Sequence, residues 1–594
     1  MRERNSLDVK YTWNLEKIYS DLSIFEKDYL YAQDKIKDLT CYEETMLDGA
    51  QNFYETVKLS YEIERILDKL YVYASLSFDL DTSNNERQEL LERVNNLRSN
   101  YRKKSYFVVP NILKCQYSVI EKYYELIPEL KDYEIVLKEI YRYKEHVLSD
   151  KEEKLLSSVS RIFGNCYETY ELFKDCDMSF GMIVNEDGKE VELTNSGYSL
   201  YIESIDRNVR KGAFVTLYEE YRKYTNTFAS LLSTYMKVLS IEAKIKKYDS
   251  AIEMSLFADN ISLKVYDNLI ATVHKNIMYL YQYYKLKKEV LKLKDFHLYD
   301  AYVPIVDEFE GRYEYEEAKK IILDVLKIFG DEYTRKVEEA LDNRWIDVYP
   351  TKNKRTGGYS GGSYDTYPYI LLNYQDKYSD MSTLIHEIGH SMHSYYSRSN
   401  NNYQDSEYKI FVAEVASTVN ELLLSYYMLE HSKCKKEKLS ILNRLMELYK
   451  ATIYRQTMFA EFEKIISDKC DNEEVLTANK LSTIYYDLNK FYFGPDVIVD
   501  DEIRYEWERI PHFYYNFYVY KYATGLSAAT SIVKRILAND DGAIASYIAF
   551  LKCGSSKSPL DSLKVAGVDL SDPQVIQDAL DEFKKIIDMY DANR

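Results

Sequence analysis

From Asn14 to about Asp175, apolar residues return every three or four positions in one long pattern after another, as in NLEKIYSDLSIFEKDYLYAQDKIKDL. That period lines one face of an α-helix. Proline, the strongest helix breaker, occurs nine times in 594 residues, so such helices can run on with few interruptions. The chain is thereby directed to a mainly α fold. At this length, two or more lobes with a large core are expected.

Two segments break the helical period. In MSFGMIVNEDGKEVELT, two short β-prone runs flank Asn185-Glu-Asp-Gly188, whose Asp-Gly pair is a hairpin-turn signature. A lobe boundary is expected just beyond it, which divides the chain into an N-terminal helical lobe, 1–200, and a second region, 201–594. Helical spacing resumes from Asp206 to about Asn343. The second break, WIDVYPTKNKRTGGYSGGSYDTYPYILLNY, holds four of the eighteen glycines between Gly357 and Gly362. They lie between strand-like runs at Trp345 to Tyr349 and Tyr367 to Leu372. This reads as a mobile loop between two strands. A plain surface hairpin is the alternative, but its place directly before a histidine-rich helix favours a flap or a substrate-contacting edge. From Asp380 onward the helical pattern returns, and no internal repeat appears.

Composition removes several function classes. No apolar run approaches the roughly 20 residues of a membrane span, and the start, MRERNSLDVKYTW, lacks the apolar segment of a secretory signal. The seven cysteines (Cys41, Cys115, Cys166, Cys176, Cys434, Cys470, Cys553) are scattered without a C-x-x-C pair, as reduced thiols of a cytoplasmic protein would be. With 78 basic against 97 acidic side chains, the net charge is −19 and no basic block offers a nucleic-acid surface. The 62 tyrosines are spread at helical spacings and read mostly as packing.

Three of the eight histidines lie in STLIHEIGHSMHSYYSR. Ser379 or Asp380 can cap a helix carrying Thr383 to about Tyr396. On it His386 and His390 stand one turn apart on one face, the spacing for two nitrogen ligands of a tetrahedral Zn²⁺. Glu387, next to the first ligand, can reach a water on the metal and act as its base. His393 lies about 10 Å along the axis from His386, too far to share an ion, and is expected beside the ligands or in a cleft wall. A catalytic zinc needs a third protein ligand. In FVAEVASTVNELLLSYY the best candidate is Glu414, because Ala413, Ala416 and Ser417 let its helix approach another closely. Glu421, seven residues on, is the rival, with the alternative role of orienting a ligand imidazole. His512 opens the tyrosine run IPHFYYNFYVYKYATG; histidine and tyrosine can both donate to an oxyanion, and ordinary packing is the alternative.

Taken together, HEIGHSMHSYYSR, FVAEVAST, IPHFYYNFYVYKYATG, GGYSGGSYDTYPYILLNY and the opening YTWNLEKIY resemble an oligoendopeptidase F, of the thimet oligopeptidase (M3) family of zinc metallopeptidases. The motifs are spread in order over nearly the full chain. The resemblance implies an elongated, multi-helix, two-lobed molecule with a deep central channel, a small β-element next to the zinc helix, and a catalytic domain at 201–594. It implies one Zn²⁺ per chain held by His386, His390 and Glu414, with Glu387 as general base. His512, Tyr515 and Tyr522 match the family's His and paired Tyr near the scissile bond. The gap from His512 to Tyr515 is shorter than in mammalian-type members, which leaves Tyr518 and Tyr520 as alternatives. Gly357, Gly358, Tyr359 and Tyr369 fall in the expected substrate-contacting segment, with Gly-Gly-Tyr where many members have Gly-Ala-Tyr. The expected activity is internal cleavage of short unfolded peptides in the cytoplasm, with Tyr367 to Leu372 as an edge strand pairing with the substrate backbone. A zinc carboxypeptidase that grips a free carboxylate with Arg455 or Lys521 is the alternative enzyme, and a non-catalytic peptide-binding protein the alternative outside enzymes.

Overall fold

In the computed structural model, which describes residues 3–306, 309 and 311–594, the helical periods become helices where they are expected. The Asp21 carboxylate accepts from the amides of Ser23 (2.8 Å) and Ile24 (3.3 Å) and starts Leu22–Thr40. Ala50–Asp79, 30 residues without a proline, and Asn85–Lys104, capped by Asn84, follow. Their apolar faces meet in one core that includes Phe25, Ile36, Phe53, Ile63, Leu70 and Val94. Tyr369 and Leu371 belong to the same core, so a β-element far along the chain is built onto the first helices.

The chain divides into two compact units, each assembled from three segments. The first comprises Met1–Glu145, Glu310–Leu424 and Arg535–Gly567, the second His146–Phe309, Ser425–Lys534 and Val568–Arg594. This division differs from a cut in sequence order at residue 200. Helices early in the chain find their apolar partners hundreds of residues later, and periodicity carries no record of which faces pair.

The expected turn at Asn185-Glu-Asp-Gly188 joins β1 (Met182–Val184) to β2 (Glu190–Glu192) in an antiparallel pair of the second unit. Gly188 takes φ +75°, and the Asn185 side chain accepts from the amides of Asp187 and Lys189.

The first unit holds a three-stranded sheet of β3 (Ile346–Asp347), β4 (Tyr359–Gly361) and β5 (Tyr369–Leu371), in the order β3-β5-β4. β5 runs parallel to β3, with Ile346 beside Ile370, and antiparallel to β4, with Tyr359 beside Leu371. Two expectations change here. The glycine-rich segment is itself a strand, and it forms an edge. Tyr367 to Leu372 supplies the central strand instead, so its backbone groups are already paired on both sides. Gly362 is required by close approach, since a Cβ there would lie 2.5 Å from the Tyr367 carbonyl oxygen. The opening YTWNLEKIY has a structural reason too. Trp13 Nε1 donates to the Ile370 carbonyl (2.8 Å), and its amide donates to Asp347 (3.3 Å).

Candidate metal centre

The motif helix spans Tyr378–Asn400, longer at both ends than the expected 383–396. Lys377 occupies the capping position, and Asp380 reaches back to accept from the amides of Lys377 (3.0 Å) and Gln375 (2.8 Å). The ligand helix, Ile410–Glu430, carries Glu414 and Glu421. The two helices touch backbone to backbone. A Cβ on Gly389 would fall 2.6 Å from Ser417 Cα and 2.7 Å from the Ala416 carbonyl oxygen, and Asn420 Nδ2 donates to the Ile385 carbonyl (3.1 Å). The small residues Ala416 and Ser417 allow this approach, and Gly389 is the partner that sequence reading missed. Its signal was present in the motif itself, HEIGH, a glycine inside a helix where glycine is unfavourable.

The crossing brings three ligand atoms together. His386 Nε2 and His390 Nε2 are 3.2 Å apart, and Glu414 Oε2 lies 3.5 Å from the first and 3.4 Å from the second. Ligand atoms about 2.05 Å from a tetrahedral Zn²⁺ are separated by about 3.3 Å. The observed triangle therefore has the edge lengths of such a site. Two imidazole nitrogens facing one carboxylate oxygen at this range also fit a shared cation by their chemistry.

Glu421 is placed differently. Its Oε2 lies 3.3 Å from His386 Nδ1, the other ring nitrogen, and its Oε1 accepts from Ser382 Oγ (3.3 Å). A hydrogen bond from Nδ1–H to Glu421 leaves the lone pair on Nε2, the tautomer a metal ligand needs. Ser417 Oγ, in turn, donates to Glu414 Oε2 (3.0 Å). Burial opposes a charged His386 ring, but the carboxylates of Glu421, Glu387 and Glu414 outweigh it and push the ring up to about 9. Burial also opposes an ionised Glu414, yet the His390 and His386 rings hold its carboxyl down at about 2. Glu387 is buried, 6% exposed, and that burial pushes its carboxyl up against the pull of His386 and His390.

His393 is a core residue and not part of a cleft wall. It is 1% exposed, stacked on Tyr408 with ring centroids 3.6 Å apart and 2° from parallel, and it packs against Phe550. Among the expected substrate contacts, Tyr369 is also interior: its hydroxyl donates to the Asn14 carbonyl (2.8 Å) and the residue is fully buried. It holds the N-terminal segment to the sheet. Tyr359, on β4, donates to Asp79 (2.5 Å). The strand itself is fixed along the motif helix, where Ser360 Oγ and Ser391 Oγ are 2.8 Å apart and a Cβ on Gly358 would meet Thr383 Cγ2 at 3.0 Å. Gly357 takes φ +87°, and its carbonyl accepts from Asn373 Nδ2 (2.8 Å).

The second group of expected site residues lies in the second unit. His512 sits in a short 3₁₀ turn, Pro511–Tyr514, with its ring 5.3 Å from that of Tyr515 and 6.1 Å from that of Tyr522. Burial lowers the His512 pKa. Tyr518 packs 5.3 Å from Tyr522, whereas Tyr520 is 1% exposed and points into the core. Tyr167, from the helix Asn165–Leu172, places its hydroxyl 2.9 Å from that of Tyr515. No sequence signal marked Tyr167, which is one tyrosine among many.

In this mainly helical fold, two histidines one turn apart and a glutamate from a crossing helix form a group that could hold a metal ion. The sequence matches the models of Peptidase family M3 over residues 200–582 and of Oligopeptidase F over residues 111–180. It is 41% identical to Oligopeptidase PepF of Bacillus subtilis (strain 168), over 99% of this chain and 88% of the relative. It is 38% identical to an oligoendopeptidase F homolog of Lactococcus lactis subsp. lactis (strain IL1403), over 98% and 97%. The crystal structure of oligoendopeptidase-F from Enterococcus faecium superimposes with a TM-score of 0.74 at 34% identity, covering 96% of this chain and 99% of that one. The chain belongs to peptidase family M3 and is a metallo-oligopeptidase of the oligoendopeptidase F kind.

Proposed function

We propose that this chain is a zinc-dependent endopeptidase that hydrolyses internal bonds of short unfolded peptides. The observation that carries the metal reading is the triangle of His386 Nε2, His390 Nε2 and Glu414 Oε2, with edges of 3.2, 3.5 and 3.4 Å. A zinc ion held there supplies a Lewis acid and lowers the pKa of water. Glu387 takes the proton from the attacking water on its carboxylate and returns it to the leaving amine. Its burial supports this role, because a carboxyl with a raised pKa can hold a proton between the two steps. His512 and the hydroxyls of Tyr515 and Tyr522 donate to the oxyanion. The edge of β4 pairs with an extended substrate backbone, which gives affinity with little side-chain preference.

The names of the relatives, oligopeptidase and oligoendopeptidase, support short peptides as substrates. A folded domain would first have to unfold, at about 5 to 15 kcal/mol. Among the described residues no helix is long and apolar enough to cross a membrane, and all seven cysteines are free thiols, which suits a cytoplasmic enzyme. The carboxypeptidase alternative loses support because both expected cations are engaged. Arg455 pairs with Glu506 (2.8 Å) and donates to Tyr302 (3.1 Å), and Lys521 pairs with Asp259 (2.5 Å).

The test is metal content measured alongside cleavage of a quenched peptide blocked at both ends, before and after chelation and after zinc is restored. The same cleavable sequence is also offered inside a stable folded protein. Cleavage that survives metal removal, or that requires a free carboxyl terminus, would reject the reading.

A further inference from the structure

Between Tyr515 and Tyr518 the backbone passes through two successive left-handed residues, Asn516 at φ +50° and Phe517 at φ +57°, neither of them glycine. Asparagine visits this region with some ease, whereas a bulky aromatic residue rarely does. The bend lies between Tyr515 before it and Tyr522 after it, and both of their rings pack near His512.

Three contacts hold the bend. The Phe517 ring is fully buried and meets Tyr266 edge-on at 6.4 Å. Ser255 Oγ donates to the Asn516 carbonyl (2.8 Å). The Phe517 amide donates to Glu463 Oε1 (2.7 Å). Glu463, on the helix Gln456–Asp471, is fully buried, and among the described residues its other oxygen has no hydrogen-bond partner. Burying a carboxyl is costly, and among the described residues no cation is paired with this one. We propose that Glu463 is a positioning residue for the His512, Tyr515 and Tyr522 group, which it holds through the amide of Phe517. This rests on the reading above that the group donates to the oxyanion.

Burial pushes the Glu463 carboxyl up to about 8, which favours the neutral acid, and Oε1 accepts the amide. A glutamine has the same shape and the same acceptor. Methionine fills the space without an acceptor and without a large cavity, and it leaves the Phe517 amide buried and unpaired.

The experiment compares Glu463→Met and Glu463→Gln in the zinc-loaded full chain, with steady-state kinetics on a quenched, end-blocked peptide. Glu463→Met should lower kcat by about 10 to 100-fold, the scale of a misplaced catalytic group, with KM and zinc content near wild type, and Glu463→Gln should restore most of the kcat. Should Glu463→Met fail to fold, Ser255→Ala loosens the same bend and should lower kcat by a smaller factor, again at unchanged zinc content. Wild-type kcat in the acceptor-free variant, an equal loss in Glu463→Gln, or a change confined to KM would overturn the proposal. His512→Ala and Tyr522→Phe are measured in parallel. If both keep wild-type kcat, the oxyanion reading falls and the proposal with it. If both lose kcat while Glu463→Met does not, only the proposal falls.

Discussion

Gly389 lies against Ser417 so closely that a methyl group on Gly389 would come within 2.6 Å of Ser417 Cα. This contact sets the distance between the helix that carries His386 and His390 and the helix that carries Glu414. Gly389→Ala cannot be absorbed by a side-chain rotation, because the atoms it meets are backbone. It should push the helices apart, lower stability by about 1–3 kcal/mol, and weaken metal retention. Thermal unfolding and metal analysis on the same sample check both effects. A variant that holds metal like wild type would show that the crossing is looser than this geometry.

Glu387→Gln should keep the metal and lose activity by several orders of magnitude, because Glu387 lies outside the triangle of ligand atoms and its proposed task needs an ionisable oxygen. His386→Ala should lose both metal and activity. Metal content by elemental analysis, read beside peptide cleavage, separates the two. A metal-free Gln variant would place Glu387 among the ligands.

Glu414→Ala should release the metal outright, whereas Glu421→Ala should reduce affinity by roughly 10 to 100-fold, the usual effect of removing a group that orients a ligand imidazole. The reason is which ring nitrogen each carboxylate faces: Glu414 lies near Nε2 of both histidines and Glu421 near Nδ1 of His386. Competition with a chelator of known affinity measures the difference, and the reverse order of loss would exchange the two roles.

Stability in acid should depend on His393. Burial, with a smaller contribution from His390, pulls its pKa down to about 3, while in the unfolded chain it titrates near 6.5. Between those values the unfolded state binds more protons than the folded one, so stability falls as pH drops through that window. His393→Phe should flatten this fall, by on the order of a few kcal/mol at pH 4, with no such pH-linked gain at pH 8, where the ring is neutral in both states. Urea midpoints of the metal-free protein at the two pH values test this, and parallel shifts at both would remove the titration as the cause.

The sequence by itself determined what is encoded within a few residues. Apolar residues every three or four positions and the scarcity of proline dictated long helices. Asp187-Gly188 dictated the β1–β2 turn, and the spacing of His386 and His390 dictated that both rings leave one helix face. Each of these follows from backbone geometry alone. Small neighbours favoured Glu414 over Glu421, but residues seven apart share a helix face, and what the crossing helix brings to each was not legible. The glycine-rich segment shows the same limit. Its strand propensity was legible, but whether Tyr359–Gly361 or Tyr369–Leu371 forms the edge depends on β3 pairing with β5. His393 looked like a neighbour of the site because it lies near the ligand face, and only the packing of Tyr408 and Phe550 around it made it a core residue. Likewise nothing near Glu463 in the chain indicates that it accepts the amide of Phe517, 54 residues away. Local propensity fixes which way a side chain leaves its own helix or strand, whereas its partner is fixed by the association of distant segments, to which burial of apolar surface contributes most.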